Sequence, residues 1–234
     1  MHDSPIVSLQ DIRFAYPGRP AIFDGLRFDL HAGDTFGLYG PNGSGKTTLL
    51  RLLTGLESAQ SGRLSFHGRL VSGEQTLHEL RCGVGLVMQN ADDQLFSPSV
   101  LEDVAFGPLN LGLNREDARK RAMEVLESMD MAGFAQRVTH RLSGGEKKLV
   151  AIASILSMRP EAMLLDEPTA FLDDISRDRM IDILRHQDLA RVVVSHDRDF
   201  LEKTASSFIR IDGGKLTSPA KGLPPLPGCC HTHG

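Results

Sequence analysis

The run Gly40-Pro41-Asn42-Gly43-Ser44-Gly45-Lys46-Thr47-Thr48 constrains this chain more than any other stretch, because it fits the pattern G-x-x-x-x-G-K-[ST]. It follows Thr35–Tyr39, which reads as a strand, and leads into Lys46–Leu56, which reads as a helix ended near Gly55. A strand, loop and helix in this order suit one chemistry well. Glycines let the backbone curl until several N–H groups point inward. The helix adds the positive end of its dipole. Lys46 then brings a cation to the β- and γ-phosphates of a nucleotide, and Thr47 a hydroxyl oxygen for Mg²⁺. The bland alternative, a glycine-rich turn with a surface lysine, does not call for both flanks.

A second constraint is Ala162-Met163-Leu164-Leu165-Asp166-Glu167-Pro168, an apolar strand that ends in two acids. Ligands of α/β folds bind at the ends of parallel strands. Asp166 is placed to hold Mg²⁺ through its water shell, and Glu167, pointing the other way, to polarise an attacking water. Alone, the pair would also suit an acidic turn after a core strand. A third is Leu142-Ser143-Gly144-Gly145-Glu146, where Ser143 and Glu146 fit a capping box at the start of a helix. Capping is sufficient reason for those residues. A glycine-flanked helix start is also an anion site, and with no second nucleotide loop in the chain it would face a nucleotide held by another molecule.

Around these landmarks the N-terminal part is β-rich, with apolar runs at Ile6–Leu9 and Leu26–Leu30. Val84–Met88 reads as a short buried strand. From Asn114, a cap residue, the pattern turns helical, with Ala118, Ala122, Val125, Leu126 and Met129 on one face. Val192–Val194 reads as another central strand. Phe208–Ile211 and Lys215–Leu216, joined by Asp212-Gly213-Gly214, suggest a terminal hairpin. From Thr217 to Gly234 the composition becomes rich in Pro and Gly and reads as a disordered tail.

These motifs, in this order, resemble the ABC ATPase family over residues 6–216. Gly40–Thr48 match its Walker A loop and Leu142–Glu146 its signature. Asp166 and Glu167 match the Walker B aspartate and the glutamate after it. Tyr16 matches the aromatic residue that stacks on adenine, Gln89 the Q-loop glutamine, Asp173 the D-loop aspartate and His196 the switch histidine. Three positions depart from the pattern: Glu146 for glutamine, Leu149 for a frequent arginine and Phe171 for glycine. The resemblance implies an α/β fold, a P-loop NTPase core with an antiparallel β subdomain and an inserted helical signature subdomain at about residues 90–160. It implies ATP and Mg²⁺ as cofactors, with Thr47, Gln89 and Asp166 around the metal. Lys46, Gln89, Glu167 and His196 would be catalytic. Tyr16, Gly40–Thr48 and, from a second subunit, Ser143, Gly144 and Gly145 would bind the nucleotide.

Within the family, Gln89-Asn90-Ala91-Asp92-Asp93-Gln94-Leu95-Phe96 and Phe106–Leu113 look like energy-coupling-factor importers, with the cobalt and nickel importers the nearest group. That likeness implies a second ATPase subunit (a copy or a paralogue), a transmembrane coupling subunit and a substrate-capture membrane subunit. The chain would sit at the cytoplasmic face of the membrane. It would reach the membrane through those partners, because no apolar run approaches the roughly 20 residues that span a bilayer and the start lacks the features of a signal peptide.

The rivals come from other classes. A net charge of −4, from 26 basic and 30 acidic residues, does not favour a nucleic-acid surface. A non-transport ABC protein of translation or repair would usually carry two cassettes or a long coiled-coil insertion, and this chain has neither. Cys229, Cys230, His231 and His233, with His2 if the termini meet, raise a metal-handling tail, although adjacent ligands wrap one ion poorly. Three cysteines, Cys82 being the third, do not make a disulfide framework.

Overall fold

The computed structural model describes residues 4–224. In chain order the elements are β1 (Val7–Phe14), β2 (Phe23–Leu30), β3 (Thr35–Tyr39), α1 (Lys46–Leu53), β4 (Ser61–Phe66), β5 (Arg69–Leu70), α2 (Glu74–Gly83) and β6 (Val84–Val87). A helical stretch follows: α3 (Val100–Asn110), α4 (Arg115–Ser128) and α5 (Gly144–Leu156). The chain then alternates through β7 (Ala162–Asp166), α6 (Asp174–Arg185), β8 (Ala190–Val194), α7 (Arg198–Thr204), β9 (Ser207–Asp212) and β10 (Lys215–Leu216).

The continuous apolar runs occupy the middle of a six-stranded sheet of order β10-β9-β3-β8-β7-β6, parallel except for β10. A strand buried on both faces needs apolar residues at every position. Met163 and Leu165 of β7 and Val193 of β8 join one core with α3, α4 and α5. Leu164, Val192 and Val194 point the other way, into a core with α1 and the second sheet. Each fully buried aliphatic side chain there contributes roughly 1.5–3 kcal/mol. The second sheet is antiparallel, of order β2-β1-β4-β5.

Several boundaries differ from expectation. β1 runs on to Phe14 and β2 begins at Phe23. α1 stops at Leu53, where the Thr54 hydroxyl donates to the Leu50 carbonyl at 3.1 Å and Gly55 turns left-handed at φ 62°. The elements β4, β5, α2 and α7 carry no clear sequence signal, while α6 forms behind the Asp173 cap and buries Met180, Ile181, Ile183 and Leu184; α2 is largely polar and buries only Leu80. The helix after Asn114 forms as expected, with Asn114 Oδ1 accepting from Asp117 N at 2.9 Å.

The tail expected to be disordered from Thr217 onward is docked through residue 224. Phe208 and Ala220 exchange backbone hydrogen bonds of 2.7 and 2.9 Å, and Arg198 donates to the carbonyls of Leu223 and Pro224 at 2.8 and 2.5 Å. Leu223 packs on the helical core. These partners are distant in sequence, so composition alone did not report them. His2, Cys229, Cys230, His231 and His233 lie outside the described residues.

Candidate active site

The ends of β3 and β7 and the turns after β6 and β8 open on one cleft of about 1120 Å³. Tyr16, Pro41 to Thr48, Gln89, Asp166, Glu167 and His196 all line it, although they come from segments far apart in the chain. Gly40 does not line it but contributes a carbonyl to its lysine. Ser143, Gly144 and Gly145 do not line it either; they form the start of α5.

The loop needs glycine at position 45. Gly45 has φ 104°, and a Cβ there would stand 2.7 Å from Ile22 Cγ2 and from Phe23 Cζ. That turn sends Lys46 inward to 8% exposure, where Nζ donates to the carbonyls of Gly40 and Pro41 at 2.9 and 3.0 Å. Burial pushes the Lys46 ammonium pKa down, and the charges of Glu167 and Asp166 push back. Ser44 Oγ is buried with no hydrogen-bond partner among the described residues. Such an orphan costs free energy unless a ligand meets it. Tyr16 stands over α1 with its hydroxyl 3.4 Å from Thr48 Oγ1, and its ring packs edge-on to Phe14.

Asp166 is the last residue of β7 and is buried. Burial raises its pKa, opposed by a hydrogen bond from Thr47 and by the charges of Arg51 and Lys46. Thr47 and Asp166 thus bring a hydroxyl and a carboxylate together, the hard oxygen donors that suit Mg²⁺. Glu167 leaves the strand at φ 47°, a left-handed conformation uncommon outside glycine. Its N–H donates to Val194 O at 2.9 Å. The backbone N–H of His196 donates to Glu167 Oε2 at 3.2 Å, and His196 Nε2 stands 3.3 Å from Oε1. Burial raises the pKa of Glu167, and the His196 charge and N–H oppose that rise. Among the described residues Oε1 is buried and accepts no hydrogen bond, with the His196 ring beside it as an ion-pair contact, so a donor in the cleft can still bond it.

At the start of α5 the capping box is complete. Glu146 N donates to Ser143 Oγ at 3.2 Å and Ser143 N donates to Glu146 Oε2 at 2.7 Å. Arg137 neutralises the carboxylate at 2.8 Å. Partial burial alone would raise the pKa of Glu146; the Ser143 N–H and Arg137 bring it below the ordinary value. Gly145 lies against α6, and a Cβ there would come 2.6 Å from Ser176 Oγ.

Of the other departures, burial accounts for Leu149 and nothing in the structure explains Phe171. Leu149 is buried in the helical core. Phe171 sits at φ 63°, the backbone that explains glycine's frequency there, and is 98% exposed. Asp173 caps α6, accepting from Ser176 N at 2.7 Å.

Three groups were not assigned a role from sequence. Gln94 closes the loop that carries Gln89, accepting from Met88 N at 2.7 Å and donating to Leu86 O at 2.8 Å. Arg177 of α6 binds Asp197, at 2.5 Å, and Asp199. Lys148 of α5 reaches the turn that carries Glu167. Only Gln94 lay in a segment already singled out. Beside that loop Phe96 and Phe106 form an exposed edge-to-face pair with centroids 4.6 Å apart.

A family model described as ABC transporter matches residues 23–170. A Nitratidesulfovibrio vulgaris protein, assigned by name as an ABC transporter ATP-binding protein, is 47% identical over 98% of this chain and 90% of its own length. The energy-coupling factor transporter ATP-binding protein EcfA of Methanocaldococcus jannaschii is 41% identical over 90% of this chain and 77% of its own. Among solved structures, cbiO1 of Clostridium perfringens, part of the ABC transporter complex cbiONQ, has a TM-score of 0.81 at 29% identity, covering 93% of this chain and 89% of that one. The dimeric cassette MJ0796, a bacterial ABC transporter cassette, also scores 0.81, at 25% identity, covering 93% and 99%.

Proposed function

Because this chain belongs to the ABC transporter family of ATP-binding proteins, and is an ATPase subunit of a transporter, we propose that two such subunits pair head-to-tail to energise an importer of cobalt or nickel ions. The observation that carries the pairing is a division of labour. Tyr16, the phosphate loop, Gln89, Asp166, Glu167 and His196 share one cleft, and Ser143 to Gly145, an anion-type helix start, do not line it. Such a helix start is accounted for if it meets the nucleotide of a second subunit.

Each residue then has a task. Tyr16 offers its ring to the adenine, and the loop N–H groups and Lys46 hold the phosphates. Thr47 and Asp166, with Gln89 nearby, would hold Mg²⁺, which when bound neutralises charge on the phosphate oxygens. Glu167 takes a hydrogen bond from the attacking water at Oε1, and His196 keeps the carboxylate in place through Oε2. Loss of the γ-phosphate removes contacts made to both subunits, and the pair opens.

The exposed Phe96–Phe106 pair next to the Gln89 loop supports docking of a membrane subunit there, at the cytoplasmic face. The sequence around Gln89 and the cbiO1 likeness support the metal cargo. Purifying the tagged chain from its native membranes should bring down a second ATPase and the membrane subunits. Reconstituted in liposomes, that complex should take up cobalt or nickel only with ATP. Uptake of a vitamin instead would change the cargo; co-purification with ribosomes and no membrane protein would overturn the transport role.

A further inference from the structure

Lys148 is the fifth residue of α5 and is only 5% exposed. Its neighbour Leu149 is an ordinary core residue. A lysine at such depth needs a reason, because burying an ammonium is costly unless it is well bonded. Its Nζ donates to the carbonyls of Glu167, at 3.1 Å, and Ala170, at 2.7 Å. Burial pushes its pKa down and the charge of Glu167 pulls it up.

Those two carbonyls belong to one short turn, and the turn is strained. Glu167 and Phe171, at φ 47° and 63°, are both non-glycine residues in the left-handed region. Such residues persist when their surroundings hold them there. Inside the turn, Ala170 N donates to Glu167 O at 3.2 Å and Leu172 N to Thr169 O at 3.1 Å. From outside it come the bonds of Glu167 N–H to Val194 O, of His196 N–H to Glu167 Oε2 and of Thr169 Oγ1 with Ser195 Oγ, and Lys148 adds the two to the carbonyls of Glu167 and Ala170. The same helix begins at Ser143, about 7.5 Å away along the axis at 1.5 Å per residue.

We propose that Lys148 is a positioning residue: it holds the backbone of Glu167 so that the carboxylate faces the water, and it ties that turn to the helix whose start meets the second subunit's nucleotide. The second part rests on the head-to-tail pairing above.

The test uses the full chain with MgATP. Lys148→Met keeps the length and packing of the stem and removes the donor. Its melting midpoint reports folding; if it does not fold, Lys148→Leu, which also lacks the donor, enters the same assays. We expect kcat to fall about tenfold or more with KM for ATP within about twofold, and Lys148→Arg to regain a substantial part. A kcat near wild type, or a loss seen in KM alone, overturns the proposal. Mixing experiments then locate the effect. Ser143→Arg supplies an intact acid turn and should rescue Lys148→Met. Lys46→Ala supplies only an intact helix start and should not. The mixture of Lys46→Ala with Ser143→Arg is the control. With that control active, rescue by Lys46→Ala, or by neither partner, overturns the placement on the acid. If the control fails, the pairing falls, and the kcat effect alone decides the role of Lys148 toward Glu167.

Discussion

The backbone N–H of His196 donates to Glu167 Oε2 at 3.2 Å while its ring Nε2 stands 3.3 Å from Oε1. One residue therefore approaches both oxygens of the carboxylate, by a hydrogen bond that survives side-chain replacement and by an ion-pair contact that does not. His196 opposes the rise that burial imposes on the pKa of Glu167. Replacing it with asparagine should let that pKa rise further. In the role proposed for it Glu167 acts as the ionised carboxylate, so activity lost as pH falls should be lost at a higher pH in His196→Asn. A kcat–pH profile of both proteins checks this; an unmoved acid limb would break the link.

Glu167→Gln keeps the shape and removes the charge. Turnover should drop about 100-fold or more, within the range of a lost general base, while ATP binding persists and the protein accumulates as a closed dimer on gel filtration. Near-normal turnover would remove Glu167 from the mechanism.

The same substitution should stabilise the fold. A carboxyl whose folded pKa is raised favours folding below its unfolded pKa, and that contribution is lost as pH rises through the folded pKa. At pH 8 Glu167→Gln should therefore melt a few degrees above wild type. The gap should close as the pH is lowered. A gap that widens toward acid would contradict the burial of this charge.

Lys46→Ala should weaken ATP binding and abolish turnover, and Ser143→Arg should abolish turnover by blocking the helix start. Random pairing of the two puts both parents in about half of the dimers, each with one intact site, so the mixture should recover up to about a quarter of wild-type activity. Full activity of Ser143→Arg by itself would argue against a shared site.

Truncation separates the two parts of the C-terminal segment. Ending the chain after Leu216 removes the Phe208–Ala220 bonds and the Arg198 contacts with Leu223 and Pro224, and should cost about 1–3 kcal/mol. Ending it after Pro224 retains them and should leave the denaturant midpoint of the full chain unchanged. Equal stability of the two truncations would show that the docked segment contributes nothing.

The phosphate loop was legible because its chemistry is local: Gly45 must be left-handed and Lys46 must follow it, and both facts sit within adjacent residues. The two-faced core strands were legible for a similar reason, since burial on both sides leaves no polar position in Ala162–Leu165. The same holds for the Asn114 and Ser143 caps, whose partners lie three residues on. Contacts across the fold left no such trace. Lys148 and Leu149 are neighbours on one helix, and the roughly 100° between successive residues sends one to the turn of Glu167 and the other into the core. Glu167 and Ala170 lie 19 and 22 positions from Lys148, so nothing local records that bond. The sequence by itself determined which chemistry the chain carries, because backbone curvature, capping and burial act over a few residues. The tertiary structure alone decided which groups share the cleft and which stand outside it, because that depends on packing between segments the chain keeps far apart.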